Sequence, residues 1–323
     1  MEYVKLGTTG TKISRLCLGT MNFGMVTDKT EAFKILDVAL DSGINFIDTS
    51  NSYGGYENRG LSERIIGDWF VDRKTRNRVI LADKVYHISE RSFFDPNDEK
   101  GLSAYKIRRH IEESMSRLCT DHIELYQMHH IVHDINWNEI WLEMNRLFQK
   151  GSILYVGSSN FPAYDIAVCN EFARANGNSL GLVSEQHRYN LLCRLPELEI
   201  IPACRKARMS LLVWGPLSAG RLGSNPFCGE EYTRSAHNDF DESTKGKVTM
   251  FLGLCDKAGI PPAEMALAWV LSNKNVGSVI IGPRNVEQLE SCLKALEINV
   301  SDYISELDGI FPGYREAPEE YAW

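Results

Sequence analysis

The sequence predicts an α/β protein of the closed (β/α)8 barrel (TIM barrel) class, and three observations carry that prediction. Short apolar runs rich in β-branched residues recur along the chain, continuous rather than alternating, as strands covered on both faces require. Longer segments with apolar residues at helical spacing lie between them. The strand–helix units number eight, the count that closes a parallel sheet on itself. An open doubly wound sheet is the alternative. Against it, the first run continues as LGTMNFG (18–24), which lacks the GxGxxG spacing of a dinucleotide-binding turn.

In chain order, EYVKL and TKIS flank the turn GTTG and predict a short β-hairpin ahead of the barrel. The barrel strands are expected at 15–20, 45–49, 78–85, 123–130, 153–160, 182–190, 211–217 and 278–283. Segment 103–118 carries Ile107, Ile111, Met115 and Leu118 on one helical face. In 136–148, Trp137, Ile140, Trp141, Met144, Leu147 and Phe148 form an apolar stripe. Pro261 and Pro262 open a helix through AEMALAWVL, since proline is tolerated in the first turn. In 285–296, Val286, Leu289, Leu293 and Leu296 share a face, with Asn285 and Gln288 spaced as a capping box. Three segments escape the pattern: 87–101, 221–247 and the tail 297–323. The first two are βα loops, which in a barrel gather at the C-terminal mouth and there form extended walls of the site. One domain spanning 1–323 accommodates all of this.

A formal net charge of -8 argues against nucleic acid or an anionic membrane as the main partner. The N-terminus has no basic stretch followed by an apolar core, and no run approaches the length of a membrane span. The eight cysteines are scattered without a CxxC, and several sit inside apolar segments, so a reducing cytoplasm is expected.

Four polar residues stand where apolar runs stop: Asp48 in FIDTSNSY, Tyr53 five residues on, Lys84 in VILADKVY and His129 in IELYQMHH. Each alone has an ordinary reading: a helix cap, a rim phenol, a solvated amine, a core imidazole. Delivered by three consecutive barrel strands, they converge on one rim as a proton-transfer set. A phenol is a poor acid near neutral pH, and a neighbouring ammonium favours its ionised form. Asp48 can keep Lys84 charged and oriented, and His129 can donate to a substrate oxygen. His129, His130 and His133 raise the question of a metal. Adjacent strand residues face opposite sides, so His129 and His130 are not expected to share an ion, and no metal is expected.

With these residues in place, the chain resembles the aldo-keto reductase superfamily over essentially its whole length. The matching segments are LGTMNFG, GINFIDTSNSYG, LADKV, IELYQMHH, YVGSSNF, SEQHRYN, WGPLSAGRL and VIIGPRNVEQLE. The resemblance implies reversible NADP(H)-dependent reduction of an aldehyde or ketone, a small-molecule carbonyl, without a metal. Its catalytic tetrad falls on Asp48, Tyr53, Lys84 and His129, with the tyrosine protonating the carbonyl oxygen. By the same resemblance Ser159, Asn160 and Gln186 hold the nicotinamide carboxamide and Trp214 stacks on its ring. Pro216, Leu217, Ser218, Gly220 and Leu222 form a pyrophosphate loop, over which 223–247 would fold. Gly282, Arg284, Gln288 and Cys292 face the adenosine 2′-phosphate end; Arg284 beside a helix N-terminus suits a phosphate. Cys292 stands where an asparagine is usual, and Asp83 where a small or hydroxyl residue usually precedes the lysine. Asp83 should point to the helix layer, where a carboxylate needs a partner. The substrate pocket is expected to include Phe23, Tyr86, His129, Phe93, Phe94 and the tail. A likeness to a bacterial subgroup linked to nucleotide-activated deoxysugars points to one substrate class. Two alternatives remain: a cofactor-binding regulatory subunit with little turnover, and an enoyl reductase. Retention of His129 favours C=O over C=C.

Overall fold

The computed structural model describes residues 1–88, 95–223 and 241–322. Strands β1 (Tyr3–Lys5) and β2 (Lys12–Ser14) form the antiparallel N-terminal hairpin, in register Tyr3↔Ser14. The hairpin stoppers the barrel floor. Leu6 and Ile13 are buried with Cys17, Phe46, Ala82, Leu125, Val183, Leu212 and Ile280, the inward-facing residues of the strands. At its turn Gly7 has φ 58°, and a Cβ there would lie 2.5 Å from the Val183 carbonyl oxygen.

Eight parallel strands close the barrel: β3 (Leu16–Gly19), β4 (Phe46–Asp48), β5 (Ile80–Val85), β6 (Ile123–Met128), β7 (Ile153–Ser159), β8 (Leu182–Arg188), β9 (Ser210–Trp214) and β10 (Val276–Ile281). Closure runs through β10, which pairs with β3 at Val279↔Leu16 and with β9 at Val279↔Val213. Several strands stop before the apolar runs that predicted them. Strand β9 ends at Trp214 because Gly215 turns to φ 64°, and β6 ends at Met128, two residues before the run does.

Ten helices surround the strands among the described residues: α1 (Lys29–Asp41), α2 (Leu61–Arg73), α3 (Ala104–Arg117), α4 (Trp137–Gln149), α5 (Ala163–Ala175), α6 (Ile200–Ala207), α7 (Glu242–Ala258), α8 (Pro262–Ser272), α9 (Val286–Lys294) and α10 (Ile304–Ile310). Their apolar stripes meet the outward faces of the strands in the larger of two buried layers. The predicted cap of α9 is present: Asn285 Oδ1 accepts from the Gln288 amide at 2.9 Å. Gln288 Oε1 returns to the Arg284 amide at 2.9 Å, one residue earlier than the usual box. The tail is tied to the connection after β8. Arg194 donates to Asp308 at 2.5 Å and to the Phe311 carbonyl at 2.7 Å, and Ala317 N donates to the Leu198 carbonyl at 2.9 Å.

Helices α2 and α3 approach within backbone contact at Gly67. A Cβ on Gly67 would lie 2.2 Å from the Arg117 carbonyl oxygen and 2.8 Å from the Leu118 carbonyl carbon. Alanine is the better helix former by about 1 kcal/mol, but overpacking against backbone costs about 1–3 kcal/mol. Gly67→Ala is therefore expected to lower stability in urea unfolding; an unchanged or higher midpoint would show that the helices part freely.

Candidate active site

The C-terminal rim gathers the acid, phenol, amine and imidazole. Strand β4 ends on Asp48 and the next loop returns Tyr53 over the mouth, its amide donating to the Ser50 carbonyl at 3.1 Å. That reversal needs Gly54: its φ is 116°, and a Cβ would lie 2.4 Å from the Asn58 carbonyl oxygen. Lys84, fully buried near the end of β5, donates to Asp48 Oδ1, to the Thr49 carbonyl at 2.9 Å and to Tyr53 Oη at 3.1 Å. Burial pushes this ammonium down, but the Asp48 carboxylate and Tyr53 outweigh it and hold Lys84 above the usual lysine range. His129 follows β6, with its ring edge-to-face to Tyr53 at 6.1 Å between centroids. Burial first, then the Lys84 charge, holds the imidazole well below its usual range, so it is neutral near pH 7.

Asp48 is the hub. Its Oδ2 accepts from Gln127 Nε2 at 3.1 Å and from Gln186 Nε2 at 2.7 Å. Gln186 Nε2 also lies 3.3 Å from Gln127 Oε1. The residues of β7 to β9 join the same web: Trp214 Nε1 donates to Asn160 Oδ1 at 3.0 Å, and Asn160 Nδ2 donates to Ser159 Oγ at 3.0 Å and to the His129 carbonyl at 3.1 Å. The residues predicted for the two halves of the barrel are therefore in direct contact.

Other predicted positions lie further round the mouth. Gly282 is exposed beside Asn22, whose Nδ2 donates to the Gly282 carbonyl at 2.8 Å, and Thr27 Oγ1 holds the Arg284 carbonyl at 3.1 Å. Arg284 and Gln288 stand at the N-terminus of α9. In the loop Pro216, Leu217, Ser218, Gly220, Leu222 several backbone amides are already engaged. The amides of Ser218, Gly220 and Leu222 donate within the loop, to Gly215 at 3.0 Å and to Leu217 at 3.0 and 3.2 Å. Ser218, Ala219 and Gly220 all take positive φ, 50°, 59° and 93°, a strained run for non-glycine residues. Leu222 is fully buried in the core layer. Cys292 likewise packs into that layer, and burial, with Glu264 nearby, pushes its thiol up to about 12. Phe23 is a correction: its ring is fully buried beneath the rim and does not wall the open mouth. Tyr86 stays partly exposed, edge-on to His130 at 5.0 Å. Phe93 and Phe94 lie outside the described residues, as does most of the expected flap 223–247.

The histidine geometry also departs from the strand argument. Alternation stops with β6 at Met128, so His129 and His130 do not face opposite sides; their rings stack at 4.9 Å and 4°. His133 is exposed, 4.0 Å from Asp165. His87, three residues past Lys84, completes a cluster whose members are brought together by the fold and not by sequence spacing.

Asp83 faces the helix layer as expected, but neither of its buried carboxyl oxygens has a hydrogen-bond partner among the described residues. It is fully buried beside the Arg117–Glu63 pair, in which Arg117 Nε donates to Glu63 at 2.7 Å. Burial and then the Glu63 charge push its carboxyl well above the usual range, toward the neutral acid. A second network escaped the sequence. Asn51 Nδ2 donates to His110 Nδ1 at 2.7 Å, so that nitrogen accepts and Nε2 carries the hydrogen directed at Asp98 Oδ1, 2.5 Å away. It fastens the Tyr53 loop to α3. Only contacts between segments far apart in sequence reveal it. Arg188, 5.9 Å from the Trp214 ring with Nη2 3.4 Å from Ser218 Oγ, was also missed.

A closed parallel barrel whose C-terminal rim brings a buried amine onto a phenol, with an imidazole edge-on to that phenol, has the architecture of a TIM-barrel active site. The Aldo/keto reductase family profile matches residues 15–310. An uncharacterised oxidoreductase, YrpG of Bacillus subtilis, is 47% identical over the full length of both chains. The norsolorinic acid reductase stcV of Emericella nidulans is 32% identical over 94% of this chain and 79% of its own. The aldo-keto reductase dtxS3 of Metarhizium robertsii is 31% identical over 95% of this chain and 91% of its own. The chain belongs to the aldo/keto reductase family and is an oxidoreductase of the carbonyl-reducing class. Members of this family generally use NAD(P)H. No helix among the described residues is long and apolar enough to cross a membrane.

Proposed function

We propose that the protein is an NADP(H)-dependent reductase that converts an aldehyde or ketone to an alcohol, with Tyr53 as the proton donor. The observation that carries this reading is the Lys84 ammonium, fixed by Asp48 and 3.1 Å from Tyr53 Oη. Tyr53 gives its proton to the carbonyl oxygen, and the phenolate left behind is stabilised by the hydrogen bond from Lys84. Asp48 neutralises Lys84 and keeps it in line. His129, neutral, donates to the same carbonyl oxygen and sets its direction.

The donor set fits a nicotinamide dinucleotide. Ser159, Asn160 and Gln186 offer hydroxyl and amide groups matched to a carboxamide, and the Gln186 oxygen is not engaged by the bonds to Asp48 and Gln127. Trp214 offers a ring face. Ser218, with Arg188 beside it, and Arg284 and Gln288 at the head of α9 suit the phosphates. When bound, the nicotinamide supplies the reducing equivalent. The seven described cysteines are all unpaired, in keeping with a reducing cytoplasm.

A panel of aldehydes and ketones, assayed by loss of NADPH absorbance, tests the reading. Turnover with at least one is expected. Tight NADPH binding without turnover on any would favour the regulatory-subunit alternative. Arg284→Ala is expected to raise the KM for NADPH at least about tenfold, a loss of about 1.4 kcal/mol, with little change for NADH. An equal effect on both would remove the 2′-phosphate from Arg284.

A further inference from the structure

We propose that His87, His129 and His130 form a binding site for a borderline divalent transition cation, best matched by Zn2+, and that its occupancy closes the mouth of the barrel to substrate. One nitrogen from each ring lies within 4.8 Å of the other two. The His87 ring stands nearly perpendicular to both partners, at 4.9 Å and 86° from His129 and at 5.3 Å and 84° from His130. A tetrahedral zinc site with bonds of about 2.0–2.1 Å places its nitrogens about 3.3 Å apart, so each pair must close by at most about 1.5 Å. The parallel stack of His129 and His130 cannot aim both lone pairs at one ion, so binding requires His130, which is only partly buried, to rotate out of that stack, and His87, also partly buried, to turn toward it.

The supporting main chain is already held. The His87 carbonyl accepts from Asn51 Nδ2 at 3.3 Å and the His129 carbonyl from Asn160 Nδ2 at 3.1 Å, while His129 N donates to the Val85 carbonyl at 3.0 Å. His129 Nδ1 lies 3.3 Å from Ser50 Oγ, the kind of outer contact that fixes a ligating imidazole and leaves Nε2 for the ion. The 3.5 Å separation of His130 Nδ1 and Asn160 Nδ2 is too long to hold that ring in one tautomer. Three imidazoles with no carboxylate select zinc, copper or nickel over magnesium or calcium. Burial is the leading cause that holds all three rings below their ordinary range, His87 at about 4, so they present lone pairs rather than charges near pH 7. A bound ion occupies the nitrogen with which His129 would hold the carbonyl oxygen. That kinetic consequence rests on the proposed reductase reading; the binding itself does not.

The test is calorimetric titration of the metal-free full chain with zinc chloride. One ion per chain is expected. His87→Asn and His130→Asn should each weaken it at least about tenfold, leaving turnover without zinc close to wild type. His122→Asn, at the surface beside Asp121 and Glu124, should leave zinc affinity unchanged. In the reductase assay zinc should raise the KM of the carbonyl without changing that of NADPH, and should lose this effect in His87→Asn. Absence of binding, or binding indifferent to His87→Asn, overturns the site; a zinc-stimulated rate overturns its inhibitory role. If no carbonyl in the panel turns over, the titration still decides the metal site separately.

Discussion

Tyr53→Phe lowers kcat for carbonyl reduction by about 10²–10⁴-fold, the usual contribution of a positioned general acid, while NADPH affinity stays near wild type. The substitution removes one oxygen atom. That oxygen is the terminus of the chain Asp48–Lys84–Tyr53, 3.1 Å from the Lys84 ammonium. The ring stays, so its edge-to-face packing on His129 is kept. Steady-state kinetics with a screened carbonyl, alongside direct titration of NADPH, separates the two effects. Residual turnover within about tenfold of wild type would take the proton-donor role away from Tyr53. A parallel loss of NADPH affinity would instead point to collapse of the loop that carries it.

Asp48→Ala is the second large effect, and it acts on stability and chemistry together. Lys84 is fully buried, and the Asp48 carboxylate is its charged partner. Removing one member of a buried ion pair leaves a charge without compensation, at a cost of about 3–5 kcal/mol. Gln127 and Gln186 lose their shared acceptor as well. The sign for Lys84 follows from the opposing causes acting on it. With the carboxylate gone, burial is left to dominate and the amine falls from its raised value toward the neutral form. The ammonium bonded to Tyr53 then weakens or disappears, so turnover falls too. Urea unfolding gives the stability loss, and a pH–rate profile gives the shift in the group that controls the rate. A stability loss below about 1 kcal/mol would mean that the pair contributes far less than its burial implies. Asp48→Asn, which keeps an acceptor without the charge, should fall between wild type and alanine.

Much of the architecture was legible in the order of residues. Continuous apolar runs identified every barrel strand, and the hairpin and the cap at Asn285 were also visible. These features depend on period and on near neighbours, which a linear pattern records. The convergence of these side chains was legible for a related reason: Asp48, Lys84 and His129 each stand at or next to a strand end, and barrel geometry sends all such ends to one rim. Where runs overshot their strands, the argument built on alternation failed. His129 and His130 lie past the end of β6 and stack, whereas strand geometry would have separated them. Phe23 was misplaced because an aromatic in a rim loop can turn inward as readily as outward, and its own sequence carries no sign of which.

The sequence by itself determined the number and order of the strand–helix units, and which polar residues stand at their ends, because those follow from side-chain period and local turn chemistry. Tertiary structure alone decided which groups meet and in what charge state. Gln186 reaches Asp48 across 138 residues, Asn51 reaches His110 across 59, and neither separation has a local signature. The Asp83 carboxyl is pushed up, the Lys84 ammonium held charged and the His129 imidazole pushed down because each shift depends on burial and on charges brought close only when the barrel closes. That dependence on distance through the fold, rather than along the chain, is the physical reason the chemistry of this rim had to be read from the structure.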